Sequence, residues 1–556
     1  MKKHLLLALS LVTLLASCGN STATESGSTK TSNATGQTTN VSISSDNISS
    51  DFTLTNEAGT AITSTNGVYS IAQAGVYTAS GKLTGQIYIN APSAEVELDL
   101  NGVSITNDSV SPIFVKDCAE FNLKALKGTS NYVYDNRTTD YSETTDETIG
   151  TAAIYSSNGD IKIKGSGTLS VTSLANSGIT GKDNVTVKNV TMLVKAVNNG
   201  IKGNDKVTIE ENPTLGIVAG NNGIRTSNSD KGSSAQHGYI YINGGNITIN
   251  SYGDGIDAEY GVEFGTSLDD DGNTCVPVVD IYTNIYSSYS YSTVSSTAKQ
   301  AYSGPGRNDG GFDGGGMNGG KSVEKADDSA KGIKANESIN VNAGQIYCYT
   351  YDDGLHANKG ESLENGSTSK GNITIAGGTL SLKASDDAVH ADGTLSVTNG
   401  TITIAESHEG LEANAINISG GEMTIYASDD AVNASSSIVI SGGRVDVNMP
   451  ASGDVDGLDS NGTFSISGGT VITRGPNSEM AAPIDADGTL SLTGGTLIVV
   501  GYCPRFNTNL TKSISTSGLS SGSHTVTIGS QTISYTNSYS YSGSTTVYGS
   551  GSATVK

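Results

Sequence analysis

The amino-acid sequence predicts an all-β chain wound as a parallel, right-handed β-helix of about a dozen coils. Three observations carry that prediction. A small residue followed by an apolar one recurs at steps of 22 and 23 residues, at Gly178-Ile179, Gly200-Ile201 and Gly223-Ile224. The same mark returns at Gly255-Ile256, Gly332-Ile333, Gly354-Leu355, Ala388-Val389, Gly410-Leu411, Ala431-Val432, Gly457-Leu458 and Pro483-Ile484. Between marks lies a strand, Gly-Gly, strand unit, as in residues 416–425 and 490–499. Along these units apolar residues alternate at period 2, and no apolar 3.6 period survives, which excludes a helical solenoid. A propeller blade needs about twice this repeat length, and a leucine-rich repeat needs a Leu/Asn pattern that is absent. One coil cannot bury its inward Ile, Leu and Val alone, so stacking must supply the core.

The elements follow in chain order. Lys2 and Lys3, an apolar run over 5–15 and Leu15-Ala16-Ser17-Cys18 give residues 1–17 the order of an export signal. The run is too short to span a bilayer, and its end looks like a bacterial lipobox with Cys18 as the lipidated residue. The expected location is therefore outside the cytoplasm, lipid-anchored to the cell envelope, at the cell surface. Residues 18–40, rich in Ser and Thr, read as a flexible tether. Residues 41–504 carry the β-helix. Residues 262–330 interrupt it with Asp269-Asp270-Asp271-Gly272, a tyrosine-rich stretch and a Gly-rich run, read as a loop excursion. Residues 505–556 are expected to cap the last coil and cover its edge.

Only 15% of residues are charged, against about a quarter in a typical soluble chain, yet 55 acidic face 31 basic side chains for a net charge of −24. That balance excludes nucleic acid as a partner and disfavours anionic membrane surfaces. It favours cations, or anionic substrates held through cations. Trp is absent. Cys118, Cys275, Cys348 and Cys503 lie far apart without a C-x-x-C spacing, so neither a zinc site nor a disulfide framework is indicated. Alternation with its tyrosine neighbours makes Cys348 a buried, inert thiol.

One turn of the repeat is unlike the others. It reads Asp352-Asp353-Gly354-Leu355-His356, Asp386-Asp387-Ala388-Val389-His390, His408-Glu409-Gly410-Leu411-Glu412, Asp429-Asp430-Ala431-Val432-Asn433 and Asp454-Val455-Asp456-Gly457-Leu458-Asp459. Weaker versions are Asp254-Gly255-Ile256-Asp257 and Lys331-Gly332-Ile333-Lys334. Stacked coils convert these into columns: Asp353, Asp387, Glu409, Asp430 and Asp456, flanked by Asp352, Asp386, His408 and Asp429. Beyond the buried apolar residue run His356, His390, Glu412, Asn433, Asp459 and Asp485. Carboxylates stacked on neighbouring strands repel. Few Lys or Arg lie in these turns, and Lys331, Lys334, Lys383 and Arg444 read as solvated surface cations. Calcium, bound by oxygen at ~2.3–2.6 Å, can bridge coils ~4.8 Å apart. The expected cofactor is Ca²⁺, held by Asp352, Asp353, Asp386, Asp387, Glu409, Glu412, Asp429, Asp430, Asp454, Asp456 and Asp459. The histidines fit hydrogen bonding to this ladder better than zinc ligation. Tyr347 and Tyr349 are either sheet-face packing or a sugar platform.

The lipobox, the Ile-x-Ile-x-Gly-Gly-Thr-Leu units and the Asp-Asp-Gly-Leu-His, Glu-Gly-Leu-Glu and Asp-Asp-Ala-Val-Asn turns resemble a family of bacterial cell-surface carbohydrate-binding proteins. The resemblance spans roughly residues 50–550 and implies a pectate-lyase-like β-helix, bound calcium and a polysaccharide ligand of the cellulose or polygalacturonate kind. His356, His390, Tyr347 and Tyr349 are then candidate ligand-binding residues. Three functions stay open: a monomeric, non-catalytic glycan-binding lipoprotein, a polysaccharide lyase acting by β-elimination on uronates, and a structural adhesin. A lyase needs a Lys or Arg base beside its calcium, and no basic residue sits convincingly among the central carboxylates.

Overall fold

The computed structural model describes residues 48–137, 147–228, 237–283, 330–362 and 368–556. Among these residues the regular elements are all β-strands, with no helix. One sheet gathers 44 of them, and its pairings are mostly parallel. The signal, Cys18 and the tether lie outside the described residues.

The repeat explains the pairing. Ile333–Ala335 pairs in parallel with Leu355–Ala357, then follow Val389–Val397, Leu411–Ile418, Val432–Ile440 and Leu458–Ser460. A second run stacks Gln345–Thr350, Thr379–Ala384, Thr401–Glu406, Glu422–Ile425 and Arg444–Asn448. A third stacks Ser338–Val341 and Asn372–Ile375 on the later halves of the longer first-run strands. Each run aligns one apolar position across repeats. Ile333, Leu355, Val389, Leu411, Val432 and Leu458 form one column, Ile346, Leu380, Ile402 and Met423 another, Ile339, Ile373, Leu395 and Ile416 a third. All are buried in a common core. Each such side chain contributes about 1.5–3 kcal/mol of burial.

Two glycine positions hold the repeat together. Gly443 has φ 77°, and a Cβ there would stand 2.6 Å from the Gly420 carbonyl oxygen of the preceding repeat. Gly410 precedes a buried Leu, and a Cβ would meet the Ala431 carbonyl oxygen at 2.3 Å. The Gly-Gly turn and the small-apolar mark are therefore steric requirements of strand stacking.

The sheet continues further into 262–330 than the sequence suggests. Gly261–Phe264 pairs with Tyr239–Ile242 and Ser338–Val341, and Val278–Thr283 with Asn246–Ser251 and Gln345–Thr350. Between them Ser267–Leu268 and Thr274–Cys275 make a hairpin. Its turn is tied by Asp269 Oδ1, which accepts the N–H groups of Asp271 and Asn273 at 3.0 and 2.8 Å. The Gly-rich run and most of the tyrosine stretch fall in 284–329, outside the described residues.

At the other end Thr496–Gly501 pairs antiparallel with Ser544–Gly549, which also pairs with Thr511–Ser515. A small antiparallel sheet of Gly522–Ile528, Gln531–Asn537 and Ala553–Val555 packs Val526, Ile533 and Tyr535 on Ile472, Ile498 and Val500. Arg474, 2% exposed, locks the contact: its guanidinium reaches Asp446, Asn537 Oδ1 at 3.2 Å and the Thr536 carbonyl at 3.0 Å. The four described cysteines are free thiols, and burial pushes Cys348 up and Cys118 up to about 12.

Candidate functional site

The turn that follows each second-run strand carries the acidic residues. Backbone hydrogen bonds fix their stacking: Gly332 donates to Asp353 O, Gly354 to Asp387 O, Ala388 to Glu409 O, Gly410 to Asp430 O and Ala431 to Asp456 O, at 2.8–3.1 Å. The expected inner column is thus in register. The outer column is too, with Lys334, His356, His390, Glu412, Asn433, Asp459 and Asp485 as successive partners.

Several inner carboxylates have a structural task. Asp353 Oδ1 accepts the Asp387 N–H at 3.1 Å, Asp387 Oδ1 the Glu409 N–H at 3.3 Å, and Asp430 Oδ1 the Asp456 N–H at 2.8 Å. One oxygen therefore secures the next repeat while the other points along the turn. Asp353 Oδ2 meets His356 Nδ1, and Asp387 Oδ2 meets His390 Nδ1 at 2.9 Å. His390 Nδ1 also lies 2.8 Å from Glu412 Oε2 and its Nε2 lies 3.2 Å from Asp392 Oδ1. The two imidazoles stack with centroids 4.4 Å apart.

One basic residue does not behave as the sequence suggests. Lys331 is no solvated surface cation: its Nζ donates to Asp352 Oδ2 at 2.9 Å and Asp353 Oδ2 at 2.6 Å, with its side chain 13% exposed. Gly255 donates to its carbonyl and Gly332 to that of Asp353, so Lys331 occupies the inner column itself. The next repeat's acids close over it. Lys334 Nζ stands 3.8 Å from Asp254 Oδ2, and Arg444 pairs with Asp446 at 2.6 Å.

Charge is distributed unevenly along the stack. Burial opposes ionisation of Asp353, but the His356 hydrogen bond and the Lys331 charge hold its carboxyl well below the usual range. Asp387 moves the other way: burial, Glu412, Asp353 and Glu409 raise it well above that range, despite His390. Burial works against the His390 cation, yet its bonds to Asp387, Asp392 and Glu412 push it up to about 12. Burial and neighbouring acids raise Asp430 to about 7, and Asp456 and Asp459 to about 6.

Ligating atoms converge within 4.8 Å in several sets among the described residues: Asp352/Asp353/Asp386, Asp386/Asp387/His408, Asp387/His390/Glu412, His408/Glu409/Asp429 and Asp353/His356/His390. Asp386 and Asp387 each belong to two of them. Asp430, Asp454, Asp456 and Asp459 belong to none, because the stack turns to Asn433, whose Nδ2 donates to Glu409 Oε2 at 3.2 Å, and Asp454 is exposed. The donor chemistry fits a hard cation around Asp386 and Asp387, where carboxylates outnumber cations. It fits less well at Asp352 and Asp353, where the Lys331 ammonium already offsets part of the negative charge.

A groove of about 460 Å³ opens beside this cluster, walled by Tyr349, Lys383, Glu406, His408, Tyr426, Pro450 and Tyr539. Tyr349 is largely buried in its wall, while Tyr347 packs on the sheet face with its ring 5.9 Å from Tyr282. The sequence gives no hint of this groove, because Tyr539 is brought in by the C-terminal segment folding back across the sheet.

A family model described as a carbohydrate-binding domain-containing protein matches residues 65–369, 361–457 and 412–556. A curated carbohydrate-binding domain-containing protein of Acetivibrio thermocellus is 33% identical over 128 residues, which are 23% of this chain and 44% of that protein. The chain thus spans less than half the length of the curated relative it matches. Among solved structures, the polysaccharide lyase-like protein from C. thermocellum, determined as a gadolinium derivative, is 31% identical. That match covers 40% of this chain and 84% of the other, with a TM-score of 0.35.

Proposed function

The chain belongs to the family of carbohydrate-binding domain-containing proteins, and from that premise we propose a calcium-dependent, non-catalytic polysaccharide-binding lipoprotein. Its frame is a right-handed parallel β-helix of the pectate-lyase kind. Pairing of each strand with its counterpart one repeat later, in three parallel runs, supports that frame. Cys18 carries the lipid, the tether lifts a monomeric domain off the envelope, and the ligand is a plant cell-wall glycan such as pectin, polygalacturonate or cellulose.

The observation that carries this reading is the position of His408. It lines the groove and also shares ligand-atom sets with Asp386, Asp387, Glu409 and Asp429. A cation held by Asp386 and Asp387 would therefore lie at the groove's edge, where it neutralises acids that otherwise repel an anionic glycan. The rings of Tyr426 and Tyr539 offer apolar faces for sugar rings, and Lys383 and Glu406 offer hydrogen-bonding groups. Insoluble pectin and cellulose, incubated with the mature protein with and without chelator, test the reading. Retention only with calcium supports it, and indifference to chelator counts against it.

Lys383 in the groove wall favours a second reading, a lyase in which it removes the proton beside a uronate carboxyl. Lys331 is unsuited to that role, since Asp353 and Asp352 outweigh its burial and hold the ammonium above its usual range. Ultraviolet absorbance of unsaturated product from polygalacturonate separates the two. Sustained turnover abolished by Lys383→Met establishes the lyase, and a flat trace leaves the binder.

A further inference from the structure

Successive repeats balance their polar groups differently. Asp353 Oδ2 is one acceptor between two donors, Lys331 Nζ at 2.6 Å and His356 Nδ1. One repeat later the relation inverts. His390 Nδ1 lies 2.9 Å from Asp387 Oδ2 and 2.8 Å from Glu412 Oε2, one donor between two acceptors. An imidazole nitrogen carries a single in-plane proton and cannot donate strongly to both oxygens. Asp387 has no Lys or Arg ion pair among the described residues, so no lysine takes the part that Lys331 plays for Asp353. Glu412 stands opposite His390 in the following repeat, so the three groups span two repeats.

The surroundings hold His390 for a role at Nδ1. Asp392 Oδ1 lies 3.2 Å from Nε2, so a carboxylate occupies the far nitrogen. Asp387 Oδ1 accepts the Glu409 N–H at 3.3 Å, which leaves Oδ2 turned to the imidazole. The His356 ring stacks on that of His390 at 4.4 Å and fixes its plane. A histidine with a carboxylate on one nitrogen and oxygen ligands around the other is the arrangement that supports transition metals. Solvent reaches the set, since His390 and Glu412 keep 13% and 14% of their side chains exposed.

We propose that His390 Nδ1, Asp387 Oδ2 and Glu412 Oε2 form a binding site for a transition dication of the zinc type, which clamps two successive repeats together. Calcium suits the set poorly. It takes roughly six to eight oxygen ligands, whereas three atoms converge here and one is an imidazole nitrogen. Zinc in an open site takes three protein ligands and a water. Ligand atoms of a tetrahedral zinc stand ~3.3 Å apart, so these atoms need to part by only ~0.5 Å. The ion displaces the proton on Nδ1 and supplies the positive charge for which the two carboxylates compete. The site shares only Asp387 with the calcium candidate at Asp386, Asp387 and His408, and it does not depend on a glycan in the groove.

Calorimetric titration of the chelator-stripped mature protein with zinc, in excess calcium, tests this. Wild type should take up zinc at this site, and His390→Gln and Glu412→Gln should each lower the affinity by about tenfold or more. Asp392→Asn, which keeps all three ligands, should lower it about tenfold with an unchanged melting temperature in calcium. No zinc uptake by wild type, or a smaller loss in His390→Gln, overturns the site and leaves the calcium reading standing. Wild-type crystals soaked in zinc give a readout that needs no variant to fold. An anomalous peak at the zinc edge between His390, Asp387 and Glu412 is the expected result. Peaks only elsewhere, or none, contradict the proposal.

Discussion

Asp387 is the residue on which the electrostatics turn. It is 4% exposed, secures Glu409 through Oδ1 and faces Asp353, Glu409 and Glu412 with His390 as its cationic neighbour. An ionised Asp387 therefore gains most from a bound cation. Asp387→Asn keeps an acceptor for the Glu409 N–H and should change the stability of the metal-free protein little, since burial and the neighbouring acids already oppose the native charge. It should remove the stabilisation expected of calcium in wild type, about 2.7 kcal/mol at a hundredfold excess over Kd. Differential scanning calorimetry with and without calcium reads both effects. Lys331→Met has the opposite signature. It leaves Asp353 buried without its cation and should cost about 3–5 kcal/mol in urea unfolding at pH 7. The alignment of 331 with 353 was legible in the sequence. The closure of Asp352 and Asp353 over the lysine was not, because the pairing is made between repeats.

At the scale of the element, the repeat was the most legible feature, since strand alternation and Gly-Gly turns are local and sterically enforced. Gly443→Ala should destabilise by more than about 1 kcal/mol, because φ 77° and the Gly420 carbonyl both oppose a side chain. A lowered urea midpoint with unchanged slope is the expected result. The acidic columns were legible as well, because equal repeat positions stack. What the repeat could not tell is where the stack changes character. The turns at Asp430, Asp456 and Asp459 stay in register yet form no three-ligand set among the described residues. Their carboxyls are raised to between about 6 and 7, so ionisation disfavours the fold there. The protonated forms stabilise the native state, and that contribution is lost as pH rises from about 4 through 7. Asp353, held low, acts oppositely and loses its contribution only below the usual carboxylate range. Metal-free protein should therefore melt highest near pH 5 and lower at pH 8, as thermal scans across pH would show.

For the molecule as a whole, a net charge of −24 overstates the field that a ligand meets. Acids concentrate in one set of turns, and Lys331 and His390 offset part of them. The groove depends on the whole chain, because its walls join the second strand run to Tyr539 of the C-terminal segment. No repeat alignment could have found it. Tyr539→Ala, 44% exposed in the native protein, should weaken glycan retention several-fold without changing calcium binding or the melting temperature. Retention on insoluble polygalacturonate, measured at fixed protein concentration in calcium and again after chelator, joins the acidic turns to the groove in one number. Full retention in calcium and release by chelator is the predicted result. Equal retention in both, or none in either, would contradict a calcium-dependent glycan site at Asp386, Asp387 and His408.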